Sequence, residues 1–293
     1  MISLDVVEIL FMSLTAKHSK KKSTKTRCNH RILGGYTRNC SGPTIICICS
    51  IHGNEPSGTI AFRNVYNRLA KLKPNFKGAF YGLAGNIQAL AKNQRYIKAD
   101  LNRLWTKFHI NDLKDIPASR LLFEEKELKE IYTTLKDLFH KSKGPIYILD
   151  LHSTSSETPP FISINDTIRN RDFALNFNLP IILGIEEFLD GTILNYMNEK
   201  GFIALGFEGG QHNDSDTVKT HESAIWSALY HAGCMNKKNK KIDYPVLSST
   251  SIHAGKVFEV KHRHPVKPSD HFKMLPGYSN FKAVRKNEKL ATD

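Results

Sequence analysis

The sequence predicts an α/β protein with a mixed, mainly parallel sheet that is flanked by helices. Short runs of β-branched and other apolar residues alternate with segments of helical spacing up to about residue 235, which is the pattern of parallel strands joined by helices. Three of these apolar runs end directly in polar turns that carry histidine or glutamate. Ligands of open α/β sheets bind at that edge, so the same pattern points to a site.

Each element follows from its local residues. Residues 43–50 contain a short apolar run typical of a buried central strand, and Pro56 then stands where a helix can begin without losing a hydrogen bond. Residues 121–140 give the clearest amphipathic helix. In chain order, the predicted strands cover 31–36, 43–50, 77–83, 146–149, 161–164, 179–183 and 201–207, and the predicted helices cover 57–72, 86–91, 121–140, 169–177, 192–199 and 216–234.

Three further segments are assigned from composition and spacing. Residues 94–108 are polar and irregular, and we expect a loop over the sheet edge. Asp216 is the expected N-cap of the helix that it opens. Residues 256–263 alternate as a half-exposed antiparallel strand would.

The chain is basic, and this charge has two interpretations. Its 293 residues carry 42 Lys and Arg against 28 Asp and Glu, a formal charge of +14, with the excess concentrated in 17–27, 237–241 and 256–267. Such runs are usually solvated tails or loops. Attraction of an anion, either a small acidic substrate or a nucleic acid, is the alternative. No RNA-binding aromatic pattern and no helix-turn-helix accompanies the charge, so a nucleic acid is the less favoured of these two anions.

The cysteines and the termini bear on the compartment. Five cysteines, an odd number with no CxxC pair, favour a reducing compartment, and we expect a cytoplasmic protein in which Cys47 and Cys49 pack in the core. The apolar patch at 9–12 follows acidic residues and precedes lysines, the reverse of a secretory signal. No apolar run reaches the length of a membrane-spanning helix, so no membrane partner is expected.

Candidate metal ligands follow the predicted strands. His52 and Glu55 lie on the turn after the central strand, His152 follows the strand at 146–149, and Glu208 follows the strand at 201–207. Two imidazoles and one carboxylate are a normal zinc ligand set, and a fourth position open to water makes such a site catalytic. Asp150, two residues before His152, could orient an imidazole by accepting a hydrogen bond from its non-ligating nitrogen. The alternative is that these are ordinary polar residues at strand ends.

The polar loop adds possible anion-binding groups. Arg95, Asn102 and Arg103 lie within nine residues, and arginine binds a carboxylate through two parallel hydrogen bonds. The competing interpretation, which spacing alone favours, is a structural loop in which Asp100 pairs with an arginine.

Taken together, four motifs resemble one known family. They are HGNEP at 52–56, RY at 95–96 with DLNRLW at 100–105, DLHST at 150–154, and FEGG at 207–210. In this order and spacing they resemble the succinylglutamate desuccinylase/aspartoacylase family, a branch of the zinc carboxypeptidase-like fold, over roughly residues 30–235.

The resemblance implies a role for each matching residue. His52, Glu55 and His152 match the ligands of one Zn²⁺ per chain. Arg103, with Asn102 beside it, matches the pair that holds the carboxylate of the substrate. Arg95 matches the arginine that polarises the scissile carbonyl, and Glu208 matches the general base that activates the attacking water and then passes its proton to the leaving amine.

The resemblance also implies a domain plan. We expect an N-terminal extension at 1–26, a catalytic domain at 27–240, and at 241–293 the start of a C-terminal β-rich region that is truncated or reduced, since the family usually continues into such a domain. His212 lies just past Glu208 and could face the site, but we expect it to be a surface residue, and neither His221 nor His231 is expected to have a functional role.

The expected function is a zinc hydrolase that cleaves the amide of an N-acyl amino acid or a similar small anionic carboxylate. A zinc carboxypeptidase acting on peptides is one alternative. A catalytically inactive, basic nucleic-acid-binding protein is the other, although it does not explain the histidines and glutamates at the strand ends.

Overall fold

The computed structural model describes residues 7–9, 30–39, 41–117, 119–236, 247, 252–267 and 269–292. Cys28, Cys40, the lysine run at 237–241 and all of the predicted N-terminal extension except 7–9 lie outside these residues.

A mixed sheet forms the centre of the molecule. The strands in chain order are β1 (Val7–Ile9), β2 (Ile32–Arg38), β3 (Thr44–Cys49), β4 (Gly78–Ala84), β5 (Ile146–Thr154), β6 (Phe161–Ser163), β7 (Ile181–Leu183), β8 (Ile203–Gln211), β9 (Val257–Glu259), β10 (Lys273–Met274), β11 (Lys282–Val284) and β12 (Ala291–Thr292). The described part of the chain places eight of them in one sheet, in the order β2-β4-β3-β5-β8-β6-β7-β9.

The strand directions confirm the predicted fold class. The central strands β4, β3, β5 and β8 are parallel to one another. The edge strand β2 is antiparallel to β4, and β6 is antiparallel to β8. The strands β7 and β9 then continue parallel to β6. The four parallel central strands end at the same edge, where the candidate ligands were expected.

Helices connect the strands, and most of them match the expectations. They are α1 (Ser57–Leu72), α2 (Ile87–Lys92), α3 (Lys107–Asp115), α4 (Phe123–Lys141), α5 (Ile168–Leu175), α6 (Ile193–Glu199) and α7 (Ser215–His231). Helix α3 was not predicted; Thr106 caps it by accepting a hydrogen bond from the backbone N–H of His109. The predicted N-cap of α7 was wrong by two residues, since the Asp214 side chain, not that of Asp216, accepts the cap hydrogen bond.

Apolar side chains fill both faces of the sheet. On the face covered by α1 and α7, residues such as Phe62 and Trp226 pack with Phe207, and Cys47 and Cys49 lie in this cluster as predicted. On the face covered by α4 and α6, the cluster is formed by residues such as Ile131, Leu135, Ile148 and Met197. Each large apolar side chain buried in this way contributes about 1.5–3 kcal/mol, so the two clusters fix the sheet that carries the site.

The segment that follows α7 joins the main sheet. Strand β9 pairs with β7 in parallel, with Val257 beside Ile181, so the antiparallel pairing expected for 256–263 was wrong. The alternation correctly indicated a half-exposed strand, but alternation carries no information about direction. The short strand β1 pairs with β11, and β10 pairs with β12, both antiparallel. None of the helices in the described residues has the length and apolar character needed to span a membrane.

Candidate metal centre and active site

The turn after β3 holds His52 and Glu55 in the interior. Ser50 takes a left-handed backbone conformation with φ of 57°, and its hydroxyl donates to the carbonyl of Glu55 at 2.9 Å. Both candidate ligands are buried, with 3% of His52 and 2% of Glu55 exposed. A Cβ at Gly53 would lie 2.1 Å from the carbonyl carbon of Ala89, so only glycine allows the turn to rest on α2.

His152 and Glu208 lie inside strands, which corrects the turns expected for them. Strands β5 and β8 continue past the predicted ends, and the two residues are paired across the ladder. The extension arises because β5 and β8 go on pairing with each other, so backbone hydrogen bonds carry both strands beyond their apolar residues. Both side chains are buried, with 9% of His152 and 7% of Glu208 exposed.

Three of the predicted residues converge on one point. One ligand atom from each of His52, Glu55 and His152 can be chosen so that all three lie within 4.8 Å of one another. His52 Nδ1 lies 2.9 Å from Glu55 Oε1, and His152 Nδ1 lies 3.1 Å from Glu55 Oε2. Both imidazoles therefore present Nδ1 to the same carboxylate.

The opposite ring nitrogens are held by two aspartates. Asp150 Oδ2 lies 2.8 Å from His152 Nε2, as predicted, and Asp100 Oδ1 lies 3.1 Å from His52 Nε2. In metal sites, a carboxylate that accepts a hydrogen bond from the non-ligating nitrogen of a histidine fixes the orientation and the tautomer of the ring. The donor set of two Nδ1 atoms and one carboxylate, with both Nε2 atoms already engaged, fits a divalent metal such as zinc.

The polar loop brings Arg95 to the same cluster. Its guanidinium donates to Asp100 Oδ2 at 3.0 Å and lies 3.5 Å from Glu55 Oε1. The ion pair between Arg95 and Asp100 that spacing favoured is therefore present, and it stands beside the candidate ligands. The predicted loop and the predicted metal site are one assembly.

Asn102 and Arg103 lie on a short 3-10 turn, Leu101–Arg103, that Asp100 caps through the N–H of Asn102. The side-chain oxygen of Asn102 accepts from the N–H of Ile193 at 2.9 Å, which leaves its N–H₂ group as a donor for a ligand. One N–H of the Arg103 guanidinium donates to the Asn102 carbonyl at 2.6 Å. Asn102 and Arg103 lie two and three positions after Asp100, the aspartate that holds His52.

Burial and neighbouring charges shift the pKa values of the cluster. Burial favours the neutral form of Glu55, but His52 and His152 hold its pKa well below the usual range. Burial likewise favours neutral His152, but Asp150 and Glu55 raise its pKa well above the ordinary value. Burial raises the pKa of Glu208 to about 7, opposed by the charge of His152 and reinforced by that of Glu55.

Glu208 is a buried carboxylate that the surrounding protein leaves incompletely satisfied, as it does Asp150 at its Oδ1 atom. The Oε2 atom of Glu208 is buried and has no hydrogen-bond partner among the described residues. Buried polar atoms are nearly always paired, so such an atom beside a candidate metal cluster indicates a position for a ligand or a water.

Two histidines were given no role by the sequence, and the structure places both beside the cluster. His212 is half-buried, with Nδ1 at 2.8 Å from the Ser153 hydroxyl, and the Ser153 N–H donates to Glu55 Oε2 at 3.0 Å. His221 is fully buried on α7, and its Nε2 donates to the His152 carbonyl at 2.9 Å. The sequence held a signal for His221, because apolar residues follow it at the helical spacing of a buried face, at Ala224, Ile225 and Ala228.

Residues 41–211, more than half of the chain, match the succinylglutamate desuccinylase/aspartoacylase catalytic domain family. The chain belongs to this family. The matched range contains all eight predicted site residues, which are His52, Glu55, Arg95, Asn102, Arg103, Asp150, His152 and Glu208.

Individual relatives agree with the family match. The chain is 34% identical over 125 residues to a probable aspartoacylase of Acaryochloris marina, a match that covers 42% of this chain and 39% of that protein. The chain thus spans well under half the length of this curated relative.

Solved structures share the fold at low sequence identity. The succinylglutamate desuccinylase of Vibrio cholerae aligns with a TM-score of 0.61 and 17% identity, over 86% of this chain and 72% of that one. The succinylglutamate desuccinylase/aspartoacylase of Rhodobacter sphaeroides aligns with a TM-score of 0.52 and 19% identity, over 70% of this chain and 60% of that one. At these identities, the alignments establish the fold.

Proposed function

We propose that the chain is a zinc-dependent hydrolase that cleaves the amide bond of an N-acyl amino acid or a similar small carboxylate. The observation that carries this proposal is the cluster of His52, Glu55 and His152, in which three ligand atoms lie within 4.8 Å of one another. The names of the relatives, an aspartoacylase and succinylglutamate desuccinylases, support this class of substrate.

One zinc ion per chain would be held by His52 Nδ1, the Glu55 carboxylate and His152 Nδ1. When bound, zinc supplies a Lewis acid that polarises a carbonyl and lowers the pKa of water toward ~7. Three protein ligands leave a fourth coordination position open, as in catalytic rather than structural zinc sites.

The remaining residues have complementary tasks. The N–H₂ group of Asn102 and the guanidinium of Arg103 bind the carboxylate of the substrate, which orients the scissile amide. Arg95 donates hydrogen bonds to the carbonyl oxygen as negative charge develops on it. Glu208 accepts the proton of the attacking water and transfers it to the leaving amine, so that amide and water become acid and amine.

We propose residues 27–240 as the catalytic unit and 241–293 as part of a β-rich region, which is consistent with the family match at 41–211. The three described cysteines, all without disulfides, are consistent with a reducing compartment such as the cytoplasm.

Metal analysis followed by a substrate screen tests the proposal. Purified protein loaded with zinc is assayed against N-acyl amino acids and short peptides, with Glu208→Ala as the matched variant. We expect one bound zinc in both proteins, and turnover of acyl amino acids in the wild type only. Failure to bind zinc after reconstitution would refute the proposal. Turnover of peptides alone would instead identify a carboxypeptidase. Salt-sensitive nucleic-acid binding without turnover would identify a catalytically inactive nucleic-acid-binding protein.

A further inference from the structure

A buried carboxylate on α4 anchors the loop that carries Arg95. Glu124, in the first turn of the helix, is 1% exposed. Its Oε1 accepts from the N–H of Ile97 at 2.7 Å, and its Oε2 accepts from the N–H of Ala99 at 3.2 Å. The N–H of Lys98 between them lies 3.3 and 3.2 Å from the two oxygens. Three successive backbone donors thus converge on one side chain.

No cationic side chain of the described residues lies within ion-pair distance of Glu124. Besides the four hydrogen bonds from the N–H groups of Ile97, Lys98 and Ala99, Glu124 accepts one from the side-chain amide of Asn86 at 3.1 Å. The carboxylate is therefore satisfied by N–H groups, most of them from the loop. Charge-assisted hydrogen bonds of this kind are roughly twice as strong as neutral ones, so they are well suited to fix a backbone.

The anchored residues lie between the two members of the loop that face the metal cluster. Arg95 precedes them and Asp100 follows them, and these two side chains form an ion pair at 3.0 Å. The carbonyl of Arg95 accepts from the N–H of Gly53 at 3.1 Å, beside His52. The loop is thus bound on one side to the turn that carries His52 and Glu55, and on the other side to α4.

Apolar packing contributes little to holding this loop. Gln94, Tyr96 and Lys98 are exposed, and the other loop residues from Arg95 to Asp100 are only half-buried. A segment with few buried apolar contacts opens locally at low cost unless hydrogen bonds prevent it. The geometry of Arg95 and Asp100 therefore depends on the bonds made by Glu124.

We propose that Glu124 is a positioning residue of the hydrolase, holding Arg95 over the scissile carbonyl and Asp100 behind His52. The proposal rests on the function proposed above, because it acts through the role assigned to Arg95. Displacing a catalytic group by about 1 Å can cost about 10²-fold in rate, which is the scale of effect that such an anchor protects.

Glu124→Gln is the most specific test, because glutamine keeps the shape of the glutamate side chain but has one accepting oxygen instead of two. Its N–H₂ group would meet the N–H of Lys98 or Ala99, where donor faces donor. The matched control is Glu127→Gln, one turn later on α4. Glu127 is also buried, at 4% exposure, but it accepts from the N–H of Gln88 at 3.2 Å and pairs with Arg31, so it does not contact the loop.

Three measurements on the full chain test the proposal. In Glu124→Gln we expect amide hydrogen exchange in peptides covering 94–100 to accelerate at least about tenfold, and kcat to fall about 10- to 100-fold with KM changed less than about threefold. We expect the zinc Kd to rise about 3- to 10-fold, because Asp100 no longer holds His52. Glu127→Gln should leave all three near the wild-type values.

A double-mutant cycle with Arg95→Lys shows whether Glu124 acts through Arg95. Once Arg95 has been changed, Glu124→Gln should cost less than about threefold in kcat, since the effect of the anchor is already lost. Equal kcat in the Glu124 and Glu127 variants, or exchange in 94–100 that is unchanged, would overturn the proposal. Exchange and zinc affinity are measured without substrate, so they still decide it if the wild type shows no turnover and the proposed function fails.

Discussion

His152 and Glu208 stand opposite each other on the neighbouring parallel strands β5 and β8. The residue proposed to bind the metal and the residue proposed to move the proton are therefore fixed to one backbone ladder. Their relative position depends on strand register rather than on loop geometry, and sites built on strands hold their groups more precisely than sites on loops.

The first prediction concerns the pH dependence given by Glu208. A general base must be deprotonated, so kcat/KM should fall as the pH falls through its pKa. Burial raises that pKa to about 7 in the protein without metal, and a bound cation lowers it, so the acid limb should lie at or below this value. Profiles of kcat/KM against pH for the wild type and Glu208→Gln provide the test. The residual activity of the variant should lack this limb, and an identical limb in both would exclude Glu208 as the base.

The second prediction concerns protons released on metal binding. The pKa of His152 is raised well above its ordinary value by Asp150 and Glu55, against the effect of burial. The ligand atom must be unprotonated to bind a metal, so zinc should displace protons and bind more tightly as the pH rises. Calorimetric titration of zinc in buffers of different ionisation enthalpy measures the released protons. A binding enthalpy independent of the buffer would contradict the assignment of His152.

The third prediction separates the two aspartates behind the histidines. Asp150 contacts His152 Nε2, whereas Asp100 contacts both His52 Nε2 and the guanidinium of Arg95. Removing such a carboxylate typically costs about 10- to 100-fold in metal affinity or activity. Asp150→Asn should therefore raise the zinc Kd with kcat largely retained at saturating zinc, while Asp100→Asn should lower both affinity and kcat. Equal kcat in the two zinc-saturated variants would contradict the second role of Asp100.

Much of the fold could be predicted because local patterns and tertiary pairing agree in most of the sheet. The predicted helix at 57–72 has the observed bounds, and the apolar strands at 43–50 and 146–149 are the central strands of the sheet. The errors occur where tertiary contacts decide. The polar residues of β5 and β8 are strand because their backbones pair with each other, and the direction of β9 is set by its pairing with β7.

The site residues could be selected from motifs, but their connections could not. Sequence spacing allowed Asp100 to pair with an arginine, but only the fold shows that it also holds His52, which lies 48 positions away. Glu124 gave no signal either, because an acidic residue in the first turn of a helix is ordinarily an exposed contribution to the helix dipole. Contacts between distant segments are what turn these residues into one assembly.

The last prediction concerns His221, which joins α7 to the strand that carries His152. Burial lowers its pKa from 6.5 to about 4, against the effect of its hydrogen bond to the His152 carbonyl. Between these values the unfolded chain binds a proton at this position and the folded chain does not, so its contribution to stability is present above the window and is lost as the pH falls through it.

Glutamine is the substitution for this test, because its amide can donate to the same carbonyl as His221 but does not titrate. The free energy of unfolding of metal-free wild type and His221→Gln should be measured by urea denaturation across this pH range. The advantage of the wild type should shrink with falling pH by up to about 1.4 kcal/mol per pH unit. A difference that stays constant with pH would show that His221 is not held neutral in the folded protein.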